Sequence, residues 1–185
     1  MEFFSRTGDI DLYGIGWNVP PYRVGKTWMP HILQRVHRKF LHYWQRIHPN
    51  PLLEAARRVY RGPALSKCQT LGQYKFALCF ENTILEGWTT EKVFDCFHAG
   101  TVPIYWGAPD IETYVPPECF IDMRHFGDYQ DLATYLKTLG ENDIRRYKES
   151  AREFLGSERF LPFKKETFVE RIRCMIQEDS GIRIE

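Results

Sequence analysis

Residues 75–106 constrain the fold of this chain more than any other stretch. Residues 75–80 form an apolar, strand-like run, and residues 90–99 set Val93, Phe94 and Phe97 on one helical face. Gly100 stands where a left-handed residue ends a helix, and residues 102–106 are a second apolar strand. Strand, loop, helix and strand in roughly 30 residues make a βαβ unit with an expected right-handed crossover. A third short strand is predicted at residues 119–121, after Pro116-Pro117, and three helices at 129–139, 143–155 and 166–176. Strands alternating with helices in this way give an α/β fold: a mostly parallel sheet with helices on both faces.

Upstream the pattern is less regular. Residues 10–16 read as a short strand running into a glycine turn, although Gly14-x-Gly16 lacks the third glycine of a dinucleotide fingerprint. After a break at Pro20-Pro21, residues 28–48 carry Ile32, Leu33, Val36, Phe40, Leu41, Trp44 and Ile47 at helical spacing. Arg35, His37, Arg38, Lys39, His42 and Arg46 fill the intervening face. Pro49-Asn50-Pro51 is expected to end that helix, with a second short one over 53–60. Residues 27–60 are thus a helical hairpin inserted in a single domain spanning 1–185. The basic helix 28–48 suits peripheral contact with an anionic membrane or an acidic partner. The plainer alternative is a hairpin packed on the domain with a solvated charged face.

Charge and composition narrow the classes of function. Lys and Arg number 25 against 24 Asp and Glu, and 43% of residues are hydrophobic, which excludes general disorder and a broadly basic nucleic-acid binder. No apolar run approaches the roughly 18 residues of a membrane span, and Met1-Glu2-Phe3-Phe4 does not open a signal peptide. The expected setting is cytoplasmic or peripheral to a membrane. Cys68, Cys79, Cys96, Cys119 and Cys174 are an odd, widely spaced set, read as buried free thiols of a reducing compartment.

In open parallel sheets, ligands bind beyond the carboxyl ends of the strands. Residues 81–89 and 107–110 both fall at that edge. Thr89 or Thr90 can cap the helix that follows, leaving backbone N–H groups aimed at a cleft. Lys92 in the first turn opposes the helix dipole unless an anion binds there; alternatively it points outward and Glu91 neutralises it. Glu91 can also accept hydrogen bonds from a ribose diol. Asn82 suits a phosphate or sugar hydroxyl, or an Asx turn. Trp88 offers a stacking face or packs on its own loop. Arg61 and Lys67 precede the first strand as candidate diphosphate cations or plain surface charges. No G-x-S-x-G elbow, P-loop or H-E-x-x-H motif occurs. His31, His37, His42 and His48 lack paired metal spacing, and His98 reads as a packing histidine.

Taken together, Tyr74-Lys75-Phe76-x-x-x-Phe80-Glu81-Asn82-Thr83, Thr90-Glu91-Lys92 and Ala99-Gly100-x-Val102-Pro103-Ile104-Tyr105-Trp106-Gly107 resemble the donor-binding signature of α-1,3/4-fucosyltransferases, glycosyltransferase family ten. Phe120-Ile121 and the upstream Asp11-Leu12-Tyr13-Gly14-x-Gly16-Trp17 extend the likeness. The resemblance implies the second, Rossmann-like half of a GT-B enzyme, the half that binds GDP-fucose. It implies inverting transfer of L-fucose to a saccharide hydroxyl through an oxocarbenium-like transition state. Asn82, Glu91 and Lys92 would hold ribose and phosphates, with Glu91 and Lys92 the catalytic stabilisers of donor and leaving group. Lys67 would meet the diphosphate, and Tyr74, Lys75, Glu81, Thr90 and Gly107 complete the substrate-binding set. Trp88 replaces a tyrosine common in relatives, losing a hydroxyl. Side chains are expected to carry the leaving-group charge, with no obligatory cofactor and a divalent cation at most stimulatory. The acceptor domain that supplies the base, and a donor-binding arginine, would precede Met1, so activity would need that domain or a partner chain. The rival readings are another nucleotide-sugar transferase of the same fold, a non-catalytic nucleotide-sugar-binding module and a purely structural interaction domain.

Overall fold

A computed structural model describes residues 2–15, 51–180 and, between them, positions 30, 32, 33, 35, 36, 39, 40 and 43. Gly16, Trp17, Pro20-Pro21 and residues 44–50 lie outside the described residues. The chain divides into two compact units, residues 1–65 and 66–185.

In the first unit, helix α1 (Glu2–Thr7) packs on helix α2 (Pro51–Val59), burying Phe4, Leu53, Ala55, Ala56 and Val59. Pro51 opens α2 instead of only ending the preceding segment: at the first helical position its missing N–H costs nothing. The helix stops at Val59 because Tyr60 turns into strand β2 (Tyr60–Gly62), which pairs in parallel with β1 (Leu12–Tyr13). Gly14 and Gly62 take positive φ angles of 134° and 99°, and the Tyr60 hydroxyl donates to the Gly14 carbonyl at 2.9 Å. Of the expected helix 28–48, the described positions other than Pro30 are helical. Ile32, Leu33, Val36, Phe40 and Tyr43 among them are exposed, so these positions do not show the packed apolar face of the plainer reading.

The second unit holds helix α3 (Lys67–Leu71), strand β3 (Phe76–Phe80), helix α4 (Glu91–Ala99) and strand β4 (Val102–Trp106). A short helix α5 (Ile111–Tyr114), strand β5 (Ile121–Asp122) and helices α6 (Tyr129–Thr138), α7 (Glu141–Gly156) and α8 (Lys165–Ser180) follow. The sheet is wholly parallel, in the order β3-β4-β5, with Phe76↔Val102 through Phe80↔Trp106 in unbroken register. Val102, Pro103, Ile104 and Tyr105 are all buried. Successive strand residues face opposite ways, so both faces of β4 are covered. Gly100 ends α4 at φ 70°, ψ 34°, as its position predicts.

Three sequence expectations need correction. The third strand lies at Ile121–Asp122, because Pro117 starts a 3₁₀ turn that takes Cys119 out of the strand. Helix α7 starts at Glu141, two residues early, with the Asp143 carboxylate accepting from the Gly140 N–H at 3.0 Å. Cys79, Cys96 and Cys119 are buried thiols, but Cys68 and Cys174 are exposed.

The core joins α4 to α7 and the segment after it. Phe94, Phe97, Phe154, Phe160 and Phe163 form an aromatic cluster, with Phe94–Phe160 edge-on at 5.5 Å and Phe97–Phe154 at 6.1 Å. Burying these rings fixes α4 against the sheet, and α4 carries the residues of interest at its amino end.

Candidate functional site

At the carboxyl edge of the sheet a single buried carboxylate organises the site. Glu81 follows β3, and its side chain is 0% exposed. It accepts hydrogen bonds from the Thr90 backbone N–H at 2.9 Å, from the Thr90 hydroxyl at 2.8–2.9 Å and from Lys92 Nζ at 2.6 Å. Burial alone would raise the Glu81 pKa; the bonds from Lys92 and Thr90 outweigh it and hold the carboxyl below its usual range. Gly107 closes over this group. A Cβ there would stand 2.5 Å from Glu81 Cγ and 2.7 Å from Tyr105 Cζ, so nothing larger than glycine fits without movement. The Tyr105 hydroxyl accepts the Ala108 N–H at 3.0 Å, and burial raises its pKa.

Thr90 is the N-cap of α4, but its hydroxyl is spent on Glu81 and caps no amide. The first amides of α4 therefore lack a side-chain cap, and Lys92, 27% exposed at its side chain, is the second residue of that turn. A cation next to uncapped helix amides is the arrangement that binds anions. The loop from β3 to α4 is exposed at Asn82, Ile84, Leu85 and Trp88. Its far end is tied down by Asp110, whose carboxylate oxygens accept the Gly87 N–H at 2.9 and 3.0 Å.

Other expected site residues are placed differently. Lys67 sits against Asp95, with Glu91 at 3.8 Å, and the bond to Asp95 raises its pKa. Lys67, Glu91 and Asp95 thus form a surface ion cluster next to the amino end of α4, with Glu91 69% exposed. Tyr74 and Lys75 are not brought to the site. They precede β3, at the opposite edge of the sheet, and Lys75 pairs with Glu141 at 2.5 Å. Arg61 donates to Asp11 at 2.5 Å within the first unit. Asp11 also closes the sequence Asp9-Ile10-Asp11, an acid-x-acid pattern whose second carboxylate is thereby engaged.

A further cluster at the end of β5 carried no sequence signal. Asp122, 4% exposed at its side chain, is gripped by the Arg124 guanidinium, which also donates to the Pro109 carbonyl and reaches Glu112 at 3.4 Å. Glu112, Asp122 and His125 each bring a ligand atom within 4.8 Å of the others, the spacing of a metal centre, but Arg124 already supplies the positive charge. Its observable role is to lock the β4 and β5 ends together.

Residues 55–155 match the family model described as glycosyltransferase family 10 (fucosyltransferase), C-terminal part. Among curated proteins, the chain is 45% identical over 74 residues to an alpha-(1,4)-fucosyltransferase of Arabidopsis thaliana, covering 40% of this chain and 18% of that one. It is 40% identical over 74 residues to the alpha-(1,3)-fucosyltransferase FucT of Helicobacter pylori (40% and 16% covered) and 45% identical over 74 residues to GDP-fucose protein O-fucosyltransferase 3 of Xenopus laevis (40% and 16% covered). The matched stretch thus spans less than a fifth of the length of these relatives. A solved alpha1,3-fucosyltransferase with GDP-fucose aligns at 27% identity and a TM-score of 0.45, covering 62% of this chain and 34% of that one.

Proposed function

The chain belongs to glycosyltransferase family 10, the fucosyltransferases, and from that membership we propose that it forms the donor-binding half of a GT-B fucosyltransferase. The reaction we assign is inverting transfer of L-fucose from GDP-fucose to a saccharide hydroxyl. The observation that carries this reading is the meeting of Glu81, Thr90 and Lys92 beside uncapped amides of α4. As the bond to fucose breaks, the departing GDP gains negative charge. A cation and amides already oriented at that point stabilise it without reorganising, and one such donor is typically worth about 3 kcal/mol.

Lys92 is assigned to the diphosphate, and the exposed carboxylate of Glu91 to the ribose hydroxyls. Asn82 and Trp88 lie on the exposed loop within reach of the same edge and are assigned to the nucleotide and sugar. Lys67 is given a reserve role, since its ammonium is already paired with Asp95. Side chains and amides carry the charge in this scheme without an obligatory metal ion. The base that deprotonates the acceptor comes from an acceptor-binding domain, in the same polypeptide or a partner chain.

Calorimetry with GDP, GDP-fucose, ADP and UDP tests the reading. GDP and GDP-fucose are expected to bind in preference to ADP and UDP. Lys92→Ala should weaken GDP by about 1.5–3 kcal/mol, the scale of a charge-assisted hydrogen bond. Preference for ADP or UDP would make this a transferase of another nucleotide sugar. Absence of nucleotide binding would end the donor assignment.

A further inference from the structure

Glu81 stands in the donor-site motif, yet no ligand can reach it. Its carboxylate is fully buried, Gly107 closes over its side chain, and among the described residues every hydrogen bond it receives comes from Thr90 or Lys92. The ammonium of Lys92 donates to this carboxylate from a side chain that is 27% exposed. A lysine at the second position of a helix is repelled by the positive end of the helix dipole and, left alone, extends into water. Here a buried counter-ion draws it back to the amino end, and the same carboxylate pins Thr90, closing the base of the loop at 82–89.

We infer, resting on the donor reading above, that Glu81 is a positioning residue: it fixes the Lys92 ammonium beside the first amides of α4, so that cation and amides meet a diphosphate as one preformed unit. Glu81 touches no substrate. The negative charge of Glu81 partly neutralises Lys92 and so lowers the lysine's pull on an anion. The benefit is order, since the ammonium need not be collected from many rotamers when the nucleotide arrives.

Two readouts separate this role from a purely structural one. The first is the acylation rate of Lys92 by a soluble amine-reactive ester, read by peptide mass spectrometry on the full chain. Glu81→Gln keeps an acceptor for Thr90 but removes the counter-ion, and should speed acylation of Lys92 by about tenfold, the scale of one charge-assisted bond. Thr90→Val, which removes only the hydroxyl, should leave that rate within about twofold of wild type. If Glu81→Gln fails to fold, the wild-type chain still decides: Lys92 should react at least about tenfold more slowly than the exposed Lys137. Equal rates for wild type and Glu81→Gln, or for Lys92 and Lys137 in the wild-type chain, overturn the inference.

The second readout is a double-mutant cycle on GDP affinity. Glu81→Gln should weaken binding by about tenfold and Lys92→Ala by at least that much, and the double variant should be no weaker than Lys92→Ala alone within about twofold. Tighter binding by Glu81→Gln would mean that charge competition outweighs positioning. Losses that multiply in the double variant would mean that Glu81 acts without Lys92. Either result overturns the inference. Failure of wild type to bind GDP instead removes the donor reading, while the acylation rates still judge the hold of Glu81 on Lys92.

Discussion

Substituting Gly107 by alanine adds one methyl group at the most crowded point of the site. Its Cβ would stand 2.5 Å from Glu81 Cγ and 2.7 Å from Tyr105 Cζ. Non-bonded carbons rest at roughly 3.5–4.0 Å, so the neighbours must retreat by about 1 Å. Neither is free to do so. Tyr105 is 0% exposed and bonded to the Ala108 N–H, and the Glu81 carboxylate is held by Thr90 and Lys92. Overpacking of this kind costs about 1–3 kcal/mol, and two pinned neighbours put Gly107→Ala at about 2 kcal/mol. For a chain of this length that lowers Tm by about 4–8 °C. Gly156→Ala is the matched control, because a Cβ on Gly156 meets nothing within 4 Å. In the last turn of α7 it should be neutral or stabilising by up to about 1 kcal/mol. Urea unfolding of both variants alongside wild type measures the difference. A loss below about 0.5 kcal/mol for Gly107→Ala, or equal values for the two variants, would refute the steric argument.

Three further outcomes follow from the same geometry. Arg124→Ala leaves the Asp122 carboxylate buried without its cation, and should cost about 2–3 kcal/mol in chemical denaturation; a change under 0.5 kcal/mol would show that water replaces the guanidinium. The pKa of Glu81 is depressed in the folded chain, so its contribution to stability is present above the usual glutamate pKa of about 4.3 and is lost as pH falls through the lower folded value. The stability gap between wild type and Glu81→Gln should therefore be widest near neutrality and narrow in acid; a gap that widens on acidification would reverse the sign assigned here. The segment 28–48, with Arg35 and Lys39 exposed beside Ile32, Val36 and Phe40, is expected to sediment with phosphatidylserine-containing vesicles and not with phosphatidylcholine alone. Equal sedimentation with both would mean apolar insertion independent of charge, and sedimentation with neither would leave the segment as a solvated charged face; either result overturns the expectation.

The βαβ core was legible because its apolar periods are long and Gly100 marks the helix end unambiguously. The two-residue strands β1 and β5 and the three-residue β2 are too short to carry a period, so tertiary contacts set their limits. Within the site, the motif singled out Lys92 and Thr90, which meet at Glu81, but did not tell an inward carboxylate from an outward one. A usable signal existed: Glu81 lies two residues beyond Cys79, which points into the core, and strand alternation sends both to the same side. The same geometry separates Lys75 from the site, since six residues of extended chain put it about 20 Å from Glu81. Lys67 and Glu91 read as separate ligands because sequence spacing cannot reveal that Asp95 and Lys67 meet across two helices. Arg124 and Asp122 were missed for another reason: one buried ion pair two residues apart resembles any surface turn.

The proposed nucleoside-diphosphate site at the amino end of α4 can be tested on its own. Amide hydrogen exchange of the full chain with and without saturating GDP measures this directly. Protection gained on binding is expected to concentrate in residues 82–93 and to be absent around Lys75 and Glu141. Protection centred on the Lys75–Glu141 edge, or none at α4 while GDP is bound, would contradict it.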